Sequence, residues 1–443
     1  MRIHTVGGYS EVGKNMTVLE LDEDAFIFDE GFFLPPLVKQ QETDKDTPTE
    51  KTLRAIKAIP DDFVVRNLRN KVRAQFFGHA HLDHIGAVPF ISNRYTAPLY
   101  GTPFTLEVLK SLIEDNNHLL RNPLRAVPPN TSFYVKGKNR KYKVDFLNIT
   151  HSTLQTSLIA VHTKKGAILY ANDFKLDNSP ILGLKPNYDK LKELAKEGVY
   201  AFIVDSLYSG ADRKTPSEKI ARHLLEEVLL TIQNQNAGII VTTFSSHIAR
   251  LKSIVDFGKK LNREIVFLGR SLSKYVGAAQ KAHLASSLEG IRLVKYRKHV
   301  EKILKLIQQK RQRYLVVCTG HQGEPGSILE RISRNNLPFR VNNNDNIIFS
   351  SSVIPTEINE KTFSAMEEKL KKRKARIFRD VHVSGHAGRE DLRDLITLLS
   401  PQHIIPAHGG RDKTTPLLEL ATELGYKNNK TVHMMDDGRN LSI

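Results

Sequence analysis

A chain of 443 residues with 40% hydrophobic and 26% charged side chains has room for two or three packed domains and the composition of an ordinary globular protein. No apolar run approaches the roughly eighteen residues that a membrane-spanning helix needs, and the opening Met1-Arg-Ile-His lacks a signal-peptide core. A net charge of +18 favours a polyanionic partner, and a single cysteine excludes an internal disulfide and fits a cytoplasmic, reducing location.

Short apolar runs set off by glycines and turns predict early strands at Ile3–Val6, Met16–Leu21 and Ala25–Phe28. The polar stretch 39–51 reads as a surface loop. Further strands are predicted at Val72–Phe77, Lys143–Ile149, Leu158–Thr163, Ala167–Tyr170 and Ala201–Val204, with helices at Thr102–Asp115 and Tyr188–Lys196 between them. After Asp205 strands and helices alternate. The series is helix Glu218–Gln233, strand Gly238–Thr243, helix Ile248–Lys260, strand Ile265–Leu268, helices Ser273–His283 and Val300–Gln309, and strand Tyr314–Cys318. That rhythm predicts a parallel sheet with helices on both faces, with Cys318 packed in its core. A basic helix at Met366–Lys374 follows, and strand–turn–helix units resume from Ile377.

The chemistry concentrates at residues 79–84, His-Ala-His-Leu-Asp-His, directly after an apolar strand. A tight turn there aims His79, His81, Asp83 and His84 into one small volume. Imidazoles and a carboxylate suit zinc, with manganese as the alternative. A solvated His-rich loop is the bland alternative, and four specified ligands in six positions argue against it. His151, Asp173, His386 and His408 also follow apolar strands, where α/β folds place their sites. These residues flank the alternating segment on both sides, so one metal-binding domain split by an inserted α/β domain is the simplest architecture. His4, His118, His162, His223, His283, His299, His403 and His433 lack ligand-like neighbours and read as surface or core. His247, beside Ser246, is open to an RNA contact.

The succession Asp29, His79-Ala-His81-Leu-Asp83-His84, His151, Asp173 resembles the five-part signature of the metallo-β-lactamase fold. Asp205, His386 and His408 resemble the three extra motifs of its nucleic-acid-processing branch, the β-CASP family. Within that branch the chain resembles the ribonuclease J family over nearly its whole length, through Gly8–Met16, Gly78–Gly86, Asp173-Phe-Lys175, Cys318–Pro325, Ser350–Pro355 and His382–Ala387. Ending soon after the last motif, it looks like the archaeal form. The implied fold is α/β: a metallo-β-lactamase αββα sandwich, residues 1–207 and 373–443, with an inserted β-CASP domain at 208–372.

The resemblance implies that His79, His81 and His151 hold one divalent cation, that Asp83, His84 and His408 hold a second, and that Asp173 bridges them. Asp83 would also orient the attacking water, and Asp29 would brace the ligand loop. Asp205 would be catalytic as one of those motif residues, and His386 would bind a phosphate oxygen or protonate the departing 3′ oxygen. Ser246, His382, Ser384 and Gly385 would form a pocket for a 5′-terminal phosphate, with helix capping as the alternative role of Ser246. Glu30, the Ser206–Tyr208 run and His321 depart from the usual pattern and bear on substrate preference.

The implied activity is a metal-dependent 5′-to-3′ exoribonuclease, with some internal cleavage, that leaves 5′-phosphates. The implied substrate is single-stranded RNA with a 5′-monophosphate, and the implied assembly is a homodimer. Basic runs at Lys136–Lys143, Lys295–His299, Lys310–Tyr314 and Lys369–Lys374 would attract the phosphate chain, the first as a hairpin. Three readings compete. A β-CASP endoribonuclease of the cleavage-and-polyadenylation type usually carries N-terminal RNA-binding modules, and a metal motif starting at residue 79 leaves no room for them. A small-molecule metallohydrolase does not need the insertion, Asp205 or His386. An RNA-binding scaffold with a degenerate site would have lost ligands.

Overall fold

Alternation along the strands builds the sandwich. The structure, a computed structural model, describes residues 1–43, 48–231, 236–354 and 357–443. One sheet runs in the order Arg439–Ser442, Arg2–Gly7, Met16–Leu21, Asp24–Phe28, Val72–Phe77, Leu99–Gly101, Leu124–Ala126. A second runs His403–Ala407, Val199–Asp205, Gly166–Ala171, Ser157–Thr163, Lys141–Asn148, Thr131–Lys136. Phe26, Phe28 and Phe76 point between the sheets, against Phe146, Ile159, Ile168 and Ile203 of the other. Ala25 and Ile27, one residue out of phase, face the other way and pack under the helical layer with Leu53, Val65 and Leu68. Helices Tyr188–Glu197, Arg389–Leu399 and Arg411–Glu423 cover the outer face of the second sheet. The layers are therefore αββα.

The third sheet is parallel throughout, in the order Arg292–Val294, Glu264–Leu268, Tyr314–Cys318, Ile239–Thr242, Asn346–Phe349, Arg376–Phe378. Its two faces belong to separate apolar clusters, as the uninterrupted apolar strands foretold. Its last strand lies beyond the expected boundary at 372, so the insertion's sheet reaches Phe378. The cluster on one face also takes in Phe77, Ala80, Ile85, Phe104 and Leu109, which docks the insertion onto the loop after strand Val72–Phe77.

Most other predicted elements recur with ends moved by one to three residues, and strands Met16–Leu21, Val72–Phe77 and Tyr314–Cys318 and helix Ile248–Lys260 recur unchanged. The basic run at Lys136 is the expected hairpin between strands Thr131–Lys136 and Lys141–Asn148. The polar stretch 39–51 is not a simple loop. Helix Leu34–Thr43 enters it, and helix Glu50–Ala55 starts within it, capped by Thr49, whose hydroxyl accepts from Thr52 N at 3.2 Å. Residues 44–47, the end of the helix predicted to Gln233, and Pro355 lie outside the described residues.

Candidate metal centre

Strand ends deliver the candidate ligands and the bracing Asp29, and three of these residues sit in an unusual backbone state. Asp29, Asp173 and His408 follow their strands with φ of 61°, 58° and 59°. The left-handed region is tolerated by Asp but costs a non-glycine residue about 1 kcal/mol or more, so it persists where surrounding bonds enforce it. Here the enforcing bonds are Asp29 N to Phe76 O at 2.9 Å and His408 N to Gly8 O at 2.7 Å. A short helix, Leu82–Ile85, starts inside the His79–His84 run and turns Asp83 and His84 back toward Asp173.

Asp173 stands at the centre. Its Oδ2 faces His79 Nε2 at 3.3 Å, His151 Nε2 at 3.6 Å and His81 Nδ1 at 4.0 Å. Its Oδ1 faces His84 Nε2 at 3.3 Å and His408 Nε2 at 3.5 Å, and Asp83 Oδ2 lies 3.6 and 3.8 Å from those two nitrogens. In each group, His79/His81/His151/Asp173 and Asp83/His84/Asp173/His408, the donor atoms lie within 4.8 Å of one another. These are the two groups the sequence suggested, and none of the eight histidines read as surface or core joins a metal-type group among the described residues.

Four of the rings are fixed through their outward nitrogens. His84 Nδ1 donates to Asp29 Oδ2 at 2.7 Å, His151 Nδ1 to Gly385 O at 2.7 Å, His408 Nδ1 to Asn15 Oδ1 at 3.1 Å, and His81 Nε2 to Ser246 Oγ at 3.0 Å. Tyr170 and Asn172 brace the assembly, through Tyr170 Oη to Asp29 Oδ2 at 2.8 Å and Asn172 Nδ2 to Tyr170 Oη at 2.8 Å. His79 is only 1% exposed, yet neither of its ring nitrogens has a hydrogen-bond partner, and Asp173 Oδ1 also lacks one. Buried polar atoms left this way are costly, and cations at the centre would satisfy the two that face it, His79 Nε2 and Asp173 Oδ1. The donor set fits the group the sequence implied. Burial, then the neighbouring His84, pushes His79 down to about 3. Burial and His81 hold His151 well below the usual range. Neutral rings are what metal ligation requires. Burial alone would raise the Asp173 carboxyl, but His408, His84 and His386 hold it well below the usual carboxylate range.

His386 stands on the open side. Its Nδ1 donates to Asp205 Oδ2 at 2.8 Å, and its Nε2 is 3.9 Å from Asp173 Oδ2. Burial opposes its charge, but Asp173 and Asp205 outweigh burial and raise it to about 9. The loop is held by Ser384, whose Oγ accepts from His386 N at 3.1 Å. Gly385 has a steric reason, since a Cβ there would sit 3.0 Å from His151 Cε1. Ser246 does not cap a helix. The N-cap position is His247, which makes no side-chain cap bond.

Other readings change. His247 is buried and 3.2 Å from Glu218 Oε2, so it does not face RNA. Of the basic runs, Arg311 is buried against Asp345 at 2.5 Å, and Lys371 and Lys372 pair with Glu367 and Glu368 along their own helix. Sequence reasoning gave no role to Asn15, whose Nδ2 also reaches Asp83 O at 3.0 Å. Nothing in the neighbouring Gly13 and Lys14 signals that role. It also missed Tyr275 of helix Arg270–Lys281, whose hydroxyl donates to Ala80 O at 3.1 Å between the first two histidines.

An αββα sandwich interrupted by a parallel α/β unit, with an Asp/His centre at its strand ends, defines a metallo-β-lactamase fold with an inserted β-CASP domain. Residues 236–370 match the family model "Ribonuclease J, beta-CASP domain" and residues 371–434 match "Zn-dependent metallo-hydrolase RNA specificity domain". Curated relatives named ribonuclease J include one from Methanocaldococcus jannaschii, 39% identical over 100% of this chain and 99% of its own length. Another, from Pyrococcus abyssi, is 40% identical over 100% and 97%. A third, from Helicobacter pylori, is 29% identical over 100% of this chain and 61% of its own. A crystal structure of an Enterococcus faecalis protein of unknown function shares the fold, with a TM-score of 0.62 at 17% identity over 99% of both chains. The chain belongs to the ribonuclease J family.

Proposed function

We propose that this protein is a metal-dependent ribonuclease that removes nucleotides from the 5′ end of single-stranded RNA and leaves 5′-phosphates, with internal cleavage as a secondary activity. The observation that carries the reading is the Asp173 carboxylate, which offers one oxygen to each of two ligand groups beside the Asp205-held ring of His386. His79, His81 and His151 would hold one divalent cation and Asp83, His84 and His408 the other, with Asp173 shared. Zinc suits the donors, and manganese is the alternative. Two such ions supply positive charge against the developing phosphoryl charge and make the attacking water more acidic.

The protein's own groups do the rest. Asp83, half-buried at the edge of the centre, orients the water toward phosphorus. The new bond forms between the water oxygen and phosphorus, and the bond to the 3′ oxygen breaks. His386, held by Asp205, presents Nε2–H to the phosphate and gives that proton to the departing 3′ oxygen. Ser246 accepts from His81, which leaves its own hydroxyl proton for a terminal-phosphate oxygen. With His382 and the Ser384–Gly385 turn it would form the pocket for the 5′-monophosphate. Location in the cytoplasm and assembly as a homodimer complete the proposal. No described helix is long and apolar enough to cross a membrane.

The test is a time course on single-stranded RNA labelled at either end, with 5′-monophosphate and 5′-hydroxyl forms in parallel. Labelled mononucleotide should leave first from 5′-labelled RNA, and a chelator should stop it. Initial release from the 3′ end would refute the direction.

A further inference from the structure

Arg250 is 0% exposed, which a charged side chain tolerates only when it is paired. Its Nε and Nη2 form a fork on Glu218, at 2.5 and 2.9 Å. That fork neutralises the charge and leaves Nη1 to act elsewhere. Nη1 reaches Ser350 O and Ser350 Oγ, both at 2.9 Å, Val381 O at 3.3 Å and His382 Nδ1 at 3.3 Å. Ser350 Oγ donates in turn to Val381 O at 2.8 Å. The start of the 382–386 turn is thus bolted to the inserted domain.

A guanidinium has donors and no acceptor. His382 Nδ1 therefore meets Arg250 as a lone pair, because an N–H there would point at another N–H. A neutral imidazole with a bare Nδ1 carries its proton on Nε2. Among the described residues no hydrogen bond is made to that Nε2, and His382 is partly exposed beside the Phe244 ring, 6.2 Å between centroids. We propose that Arg250 is a positioning residue for 5′-end selection: it holds His382 as the Nε2–H tautomer, turned to donate to the terminal phosphate. This rests on the terminal-phosphate pocket described above. Burial first, and then the Arg250 charge, also push His382 down to about 2, so the ring stays neutral at working pH.

The experiment measures kcat/KM on one RNA sequence with a 5′-monophosphate and with a 5′-hydroxyl, in the metal-loaded protein and in its Arg250→Lys variant. Lysine retains the charge but cannot fork on Glu218 and reach the turn together. The ratio of the two values should fall by roughly tenfold in the variant, the worth of one hydrogen bond to a charged group. A purely structural role would lower both substrates alike and keep the ratio, which would overturn the proposal. If the variant fails to fold, nitrogen NMR of histidine-labelled unmodified protein decides. The His382 signals are assigned by their loss in His382→Gln. A protonated Nε2 and bare Nδ1 support the proposal, and the opposite tautomer overturns it. Absence of any 5′-monophosphate preference in the unmodified protein would instead remove the pocket reading itself.

Discussion

The Ser246 hydroxyl lies 3.0 Å from Nε2 of His81, so a residue of the inserted domain ends on a ring whose other nitrogen faces Asp173. Fixing that ring keeps Nδ1 as the free donor. Ser246→Ala should weaken cation binding at the His79/His81/His151 group by roughly 10–100-fold, the usual cost of losing an outer partner. The Asp83/His84/His408 group should change little. Titration against a competing chelator resolves the two sites, and equal weakening of both would contradict the assignment.

Asp173 touches both groups, whereas His79 touches one. Asp173→Asn should therefore lower the bound-metal content of both sites and reduce activity to the assay floor. His79→Gln should lower it at one site. Elemental analysis of the purified variants after dialysis gives the stoichiometry. Two ions retained by Asp173→Asn would show that the carboxylate does not bridge.

The His and Asp side chains that gather around Asp173 were legible because metal chemistry favours those donors, because most follow an apolar strand that announces itself, and because their succession resembles a family signature. Strand Tyr314–Cys318 was legible for the same reason: it is buried on both faces and reads as one apolar run. Strand Arg439–Ser442 was not. Its residues are mostly exposed, and what holds it is backbone pairing with Arg2–Gly7. Asn15 and Tyr275 were not legible either. Their roles come from folding distant segments together, 393 and 195 residues apart in the bonds they make. The capped helix at Glu50 was missed because polarity was read as loop, although Thr49 is a cap signal.

His386 supplies a pH dependence with a definite sign. Burial opposes its charge, Asp173 and Asp205 override it, and the folded pKa rises from 6.5 to about 9. A raised pKa means the folded state binds the proton more tightly. The stabilisation is therefore complete below 6.5 and disappears as pH climbs through about 9. In chelator-stripped protein, the stability gap between the unmodified chain and His386→Gln should shrink across that window, as read by thermal denaturation. A gap that widened with pH would mean the ring is neutral in the fold. With metals restored, His386→Ala should keep both ions and lose activity by ~100-fold, the range for a general acid.

Tyr275 ties the insertion to the ligand loop through a buried bond to Ala80 O, and the neighbouring Lys274 pairs with Asp115 at 2.6 Å nearer the surface. The two contacts should differ in weight. Tyr275→Phe leaves the Ala80 carbonyl enclosed by the apolar cluster around Phe77 and Ile85, and an unsatisfied buried acceptor costs about 1–3 kcal/mol. Lys274→Ala breaks a partly exposed ion pair, which is worth about 1 kcal/mol or less and is screened by salt. Denaturant midpoints at unchanged slope should rank the variants in that order, and added salt should narrow only the Lys274 difference. Because Ala80 lies between His79 and His81, Tyr275→Phe should also loosen the first cation, whereas Lys274→Ala should not. The reverse ranking would mean that surface charge, not the buried tether, docks the insertion onto the centre.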